Sequence, residues 1–177
     1  MESTLRLPEA IEVLGRTPAA IAGMLSGLGQ AWTHANYGEA TFSPFDVVGH
    51  LIHGEKTDWI PRLRIILEHG EGRPFDPFDR FAQTEASRGK TMQNLLDEFA
   101  RLRAENLSIL RALRLTEAQL SRTGMHPALG RVTASELIAT WVVHDLNHLK
   151  QIAKAMSHQY RDLVGPWREY LPILTRP

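Results

Sequence analysis

Eight histidines and no cysteine define the metal and nucleophile chemistry open to this chain. Two of them, His144 and His148, stand four residues apart in HDLNHLKQI, within a stretch rich in Leu, Ile and Trp. At helical spacing the pair stacks one turn apart, about 5 to 6 Å between Cβ atoms, close enough for both imidazoles to meet one ion. The alternative is a pair of core histidines hydrogen-bonded to backbone or water, and an HxxxH motif by itself does not choose between them. Two counts weigh against a zincin. The motif lacks the Glu that serves there as general base, and Asp145 is a methylene shorter and displaced about 100° around the helix. His158, fourteen residues after His144, would lie about 21 Å away on a continuous helix and cannot be the third ligand. That ligand has to come from another helix. VVGHLIHGE offers His50, one turn after Val47 and beside Leu51, and His53 one turn further; spacing leaves both open. His34, His69, His126 and His158 fall in loops or at helix ends, where a solvated role is expected. Two histidines from one helix and one from a facing helix make a three-ligand site with coordination positions left for water or substrate.

The elements that must position these residues are helical. Periodicity of about 3.6 residues and turn signals mark four core helices, near 18 to 30, 44 to 69, 84 to 114 and 133 to 158, with no alternating segment of strand length. Thr17 and Pro18 have the residue types of an N-cap and first helical position, followed by Ile21, Met24, Leu25, Leu28 and Trp32; residues 5 to 15 are expected to form a short lead-in turn. Ser43 and Pro44 repeat that signal, and Pro61 is expected to kink the second helix. The stretch 70 to 83, with two prolines and three phenylalanines, is expected to be an ordered crossover loop that packs its aromatics. Met92, Leu95, Leu96, Phe99, Leu102, Ile109, Leu110 and Leu113 give the third helix a near-heptad seam, with its Arg and Glu residues on the exposed face. TEAQ from Thr116 and TASE from Thr133 have the capping-box form, opening a short helical turn and the fourth helix. On that last helix Leu137, Trp141, His144, His148, Ile152 and Ala155 share a stripe about 80° wide, so both histidines face the core. The tail DLVGPWREYLPIL is rich in Trp, Tyr and Leu and is expected to dock.

Composition bounds the rest. With 177 residues, 43% of them hydrophobic, the chain is expected to fold as one domain over 1–177. Twenty basic and twenty acidic residues balance, leaving no net field to draw it to nucleic acid or an anionic membrane. No apolar run is long enough to span a bilayer, MESTLRLPEA lacks the pattern of a signal peptide, and a cytoplasmic address is expected. Without cysteine there is no disulfide, thiolate ligand or cysteine nucleophile, so any thiol chemistry would use a substrate's sulfur.

The chain resembles the DinB-like superfamily, which includes the bacillithiol- and mycothiol-dependent transferases. SPFDVVGHLIHGEKTDW, HPALGRVTASELIATWVVHDLNHLKQIAKAM and the closing VGPWREYL carry the likeness. It implies an all-α four-helix bundle of up-down-down-up topology and a divalent metal, usually zinc or nickel, held by three histidines. Transferred residue by residue, those ligands fall on His50, His144 and His148, while His53 stands where many relatives have other residues. Asp145 and Gln151 are candidates to orient an imidazole or a water from behind the ligands. The chemistry implied is transfer of a low-molecular-weight thiol to an electrophile or hydrolysis of a small substrate, with a non-catalytic metal-binding or stress-associated bundle as the alternative. A homodimer is also expected, on the strength of Trp32, Trp59, Trp167 and the Phe-rich loop.

Overall fold

The structure, a computed structural model, describes residues 5–175; the outermost residues of the expected 1–177 domain, 1–4 and 176–177, lie outside them. In chain order the elements are α1 (Leu7–Leu25), α2 (Gln30–Thr33), α3 (Pro44–Thr57), α4 (Trp59–His69), α5 (Ala82–Ala86), α6 (Met92–Ala112), α7 (Glu117–Leu120), β1 (Thr123–His126), β2 (Gly130–Thr133), α8 (Ala134–His158) and α9 (Pro172–Thr175). Single 3-10 turns occupy Gly70–Gly72 and Gly165–Tyr170. Helices α1, α3, α6 and α8 form a ring in which α1 and α3 each pack against both α6 and α8.

The contacts give the directions. Ala10 and Leu14 share a core with Leu107, Leu110, Leu137 and Trp141, whereas Ile21 and Leu25 share another with Leu95, Phe99 and Ile152. Thus α1 runs with α8 and against α6. His50 meets His148 while Glu55, further along α3, meets Trp141, so α3 opposes α8 and runs parallel to α6. The topology is up-down-down-up. Parallel neighbours cannot be joined by a tight turn, which is why α4 and the loop after Gly70 carry the chain back along the bundle.

Four features differ from expectation. The first helix starts at Leu7 and runs through Pro18 without a break. Ala10, Leu14, Thr17, Ile21 and Leu25 form one buried stripe across the proline, and that burial outweighs the lost backbone bond. Pro18 has no N–H to give the Leu14 carbonyl one turn back, and Arg103 Nη1 donates to that carbonyl instead at 2.8 Å. In the second helix Pro61 produces a break ahead of itself. Its ring opposes the Thr57 carbonyl four residues back, so α3 ends at Thr57, Asp58 takes up φ −107° and ψ −71°, and α4 starts at Trp59. The third core helix begins at Met92, not near residue 84, because Thr91 and Asn94 cap it with a reciprocal pair of bonds and residues 82–86 form the separate α5. Residues 123–133 form an antiparallel hairpin that periodicity did not show; its strands are four residues each, and Gly130 at φ 76° closes the turn.

The hairpin covers one end of the bundle. Phe75 N donates to Met125 O at 2.9 Å, tying the loop after Gly70 to it. In that loop Phe75 is buried and Phe78 packs on His50 and His53, but Phe81 is 59% exposed. The tail docks through α9 on α8, and Tyr160 stacks on Trp32, whereas Trp167 and Tyr170 face solvent. Trp59, invoked above as dimer surface, is instead inside, stacked on Trp141 at 5.5 Å. Among the described residues no helix is long and apolar enough to cross a membrane.

Candidate metal centre

The two apolar cores are separated by a polar layer. Arg103, 1% exposed, lies at its centre, on the inner stripe of α6 between Phe99 and Leu107. It donates to Glu55 Oε1 from Nη2 at 2.7 Å and to Asp145 Oδ2 from Nη1 at 2.5 Å, and stacks on Phe99 and Trp141. Asn106 Nδ2 and Trp141 Nε1 complete the Glu55 carboxylate at 2.9 and 3.2 Å. With the Leu14 carbonyl, this network touches all four core helices. Burial pushes the Glu55 carboxyl up against the pull of Arg103. Burial also opposes the Arg103 charge, but Asp145 and Glu55 outweigh it and hold its pKa above the usual range.

The histidines sit at the edge of this layer. His50, on α3, precedes Glu55 by about a turn and a half; His144 and His148 bracket Asp145 on α8. The network therefore fixes the rotation of both helices that carry the imidazoles. His144 Nε2 is 3.2 Å from His50 Nε2 and 3.1 Å from His148 Nε2, and one donor atom from each of the three residues falls within 4.8 Å of the others. Behind them, His148 Nδ1 donates to Gln151 Oε1 at 2.8 Å. This bond puts the proton on Nδ1 and turns the Nε2 lone pair inward. A single hydrogen on His144 Nε2 cannot point linearly at both neighbours, so lone pairs converge there. A tetrahedral ion with Zn–N bonds of 2.0–2.1 Å would separate its ligand nitrogens by roughly 3.3 Å, which matches both observed spacings.

The imidazoles are uncharged at neutral pH. Burial pushes His144 down to about 3, with His148 and His50 adding to the shift. Burial likewise takes His50 down to about 4, and the neighbouring His148 contributes. His148 is lowered by burial, with the Gln151 hydrogen bond acting in the opposite direction. Neutral imidazole is the metal-binding form. Trp59 presses edge-on against His144 at 5.0 Å and Phe78 against His50 at 5.4 Å, so the rings are held by aromatics.

Of the residues singled out from sequence, His50, His144 and His148 meet at one point. His53 does not; it lies against Phe78 outside the cluster. Gln151 stands behind His148, whereas both Asp145 oxygens go to Arg103, not to an imidazole. His34 stacks on Phe45, His69 pairs with Glu68, and His158 faces Tyr37. His126 departs from a solvated role: its Nδ1 accepts from Ala128 N and Leu129 N, and the ring lines a cleft beside the cluster. Arg103 and Glu55 went unnoticed in the sequence. Their signal was position, since each stands where an apolar stripe calls for a hydrophobic residue.

Three clefts reach the cluster; one of about 530 Å³ touches His144 alone, and the other two meet at His50. Of that pair one, of about 420 Å³, exposes His50 and His148; the other, of about 610 Å³, exposes His50 and His144.

The family model of the DinB superfamily matches residues 14–152, which takes in all three histidines and at least part of each of the four core helices. The chain belongs to the DinB superfamily. Its fold is similar to that of YfiT from Bacillus subtilis, described as a probable metal-dependent hydrolase with an unusual four-helix bundle topology. That match has a TM-score of 0.75 at 22% identity, over 90% of this chain and 91% of that one. It is also similar to TT2238, a four-helix bundle protein, with a TM-score of 0.53 at 19% identity over 82% of this chain and 97% of that one. No curated protein matches the chain at a significant level.

Proposed function

We propose that this DinB-superfamily protein is a metal-dependent enzyme acting on a small molecule, with a divalent ion, zinc or nickel, held by His50, His144 and His148. The observation that supports it is the convergence of three uncharged imidazoles where two open clefts meet. A bound ion with positions left open supplies Lewis acidity, which turns a water or a thiol into a nucleophile at neutral pH. The chain supplies geometry and surroundings. Gln151 holds the proton of His148 on Nδ1, Trp59 and Phe78 keep the rings in place, and the Arg103 network sets the helices that present them. With water as nucleophile the reaction is a hydrolysis, the class named for YfiT. With a low-molecular-weight thiol it is transfer to an electrophile, and since the chain has no cysteine the sulfur belongs to the cosubstrate.

Turnover tests the proposal. Zinc- and nickel-loaded protein is assayed on ester and amide panels, and on 1-chloro-2,4-dinitrobenzene with a range of small thiols. Metal-dependent turnover in one panel, abolished in His144→Ala, is expected; turnover retained in that variant would overturn the reading. The proposal extends to a homodimer, supported by the exposed Leu163, Trp167 and Tyr170. A light-scattering mass of the 19.9 kDa monomer at micromolar concentration would count against it.

A further inference from the structure

The larger of the two clefts that meet at His50 has apolar walls and an anchored roof. Its volume of about 610 Å³ lies between Trp59, Phe75, Phe78, Leu129, Val132 and Leu137, and His50 and His144 line it too. The hairpin is the roof. Its first strand is tied down by the bond from Phe75 N to Met125 O at 2.9 Å, and Glu71 accepts from Thr123 Oγ1 at 2.7 Å while pairing with Arg131 of the second strand at 2.8 Å. At the tip His126 Nδ1 accepts from Ala128 N and Leu129 N, both at 3.1 Å, which fixes the turn that carries Leu129. Leu129 lines the cleft while 75% exposed, so much of that apolar wall is free to be covered. The charged groups on the walls are engaged within the chain. Asp58 pairs with Arg62, and the Glu136 carboxylate accepts from Thr133 N at 2.7 Å. Arg80 lies against Phe42 and Phe81 at 5.5 and 5.2 Å, where this cleft joins the smaller one. Burial lowers His126 below the ordinary histidine value and keeps it neutral.

From these walls we infer that the cleft under the hairpin binds the uncharged, apolar body of the substrate, an aromatic group, with the polar, reacting end of the same molecule at His50 and His144. The inference deepens the proposed function and rests on it only in taking that polar end as the reacting one; the apolar body follows from the cleft itself. Small-molecule sites draw their area from apolar and aromatic walls and their orientation from a few polar groups. Here Trp59, Phe75 and Phe78 supply ring faces and edges for an aromatic body. A charge on that body would lose its hydration against walls whose own ions are already paired, so the cleft selects against it by desolvation.

The reporter is N-phenyl-1-naphthylamine, an uncharged dye that brightens on leaving water, titrated against full-length, metal-free protein. The competitor 2-naphthalenemethanol is expected to displace it, and 6-(hydroxymethyl)-2-naphthoate, the same body carrying a carboxylate, to need at least about tenfold more. That comparison uses wild-type protein alone. Thr140→Trp fills the cleft from an exposed position on α8, and Leu129→Asp puts a charge on its exposed rim. Each should weaken the dye about tenfold or more, whereas Leu163→Asp, at a leucine 78% exposed in the tail, should leave it unchanged. If Thr140→Trp fails to fold, Leu129→Asp decides. No dye bound, equal displacement by both competitors, or binding that resists Leu129→Asp but is lost in Leu163→Asp overturns the inference. Dye binding in this cleft by a protein without metal-dependent turnover would sink the catalytic proposal and leave this one standing; metal-dependent turnover of a naphthyl ester that is unchanged in Leu129→Asp and in folded Thr140→Trp does the reverse.

Discussion

Replacing Arg103 by Met should be among the most damaging single changes to stability in this chain. The guanidinium is 1% exposed and makes five hydrogen bonds to Glu55, Asp145 and the Leu14 carbonyl. The two carboxylates it serves have side chains that are 0% exposed. Methionine fills much of the same volume, so the loss is chiefly electrostatic: two buried carboxylates remain without their cation. Breaking a buried ion pair by deleting one partner costs about 3–5 kcal/mol. For a chain of 177 residues this corresponds to a fall in Tm of roughly 6 to 20 °C. Urea and thermal denaturation of metal-free protein measure it, with Arg101→Met as the control. Arg101 is exposed and pairs with the exposed Glu105 one turn on, so its loss should fall within about 0.5 kcal/mol. Neutralising the stranded carboxylates in Arg103→Met/Glu55→Gln/Asp145→Asn should recover at least half of the loss. A loss under about 1 kcal/mol for Arg103→Met would refute the idea that this layer clamps the four helices.

Pro18→Ala should stabilise the Arg103→Met protein by about 1 kcal/mol more than it stabilises wild type, because it restores an N–H to a Leu14 carbonyl that Arg103 no longer serves; an additive double-mutant cycle would reject this. The metal-free protein should lose stability as pH falls from about 6.5 towards 4. Folded His50 and His144, at about 4 and about 3, stay neutral while the unfolded chain takes up protons, and His50 alone contributes about 3 kcal/mol. The slope should flatten in His144→Gln, and a slope of opposite sign would contradict the burial argument. Gly124→Ala should cost about 1–3 kcal/mol, since a Cβ there would meet Ile66 Cγ1 at 2.7 Å and Phe75 at 3.1 Å; unchanged denaturation would show that hairpin and loop can separate.

What the sequence disclosed depended on how local the signal was. Ser43, Thr116 and Thr133 cap their helices through bonds to residues three positions on, a pattern written in adjacent letters. The stripe through Trp141, His144 and His148 was equally plain, because one helix contains it. Pro18 misled, since the same two letters that open a helix also occur inside one whose buried stripe continues on both sides. The Arg103 layer was invisible for a different reason. An arginine on a stripe is tolerable only if other helices bring it acids, and nothing near residue 103 announces Glu55 or Asp145. The hairpin was missed because strands of four residues are too short to establish alternation. Spacing could not separate His50 from His53; in the structure His50 joins the cluster and His53 turns to Phe78.

Metal content joined to zinc and nickel titration decides whether His50, His144 and His148 together hold one ion. The protein is purified without an affinity tag, as wild type and as His50→Ala, His53→Ala, His144→Ala, His148→Ala and His158→Ala. One equivalent is expected in wild type, His53→Ala and His158→Ala, and a loss of at least about tenfold in affinity in the other three, each of which keeps only two of the three imidazoles. Stoichiometric binding that survives loss of His50 but not of His53 would move the first ligand, and undiminished binding in all five variants would contradict the site outright.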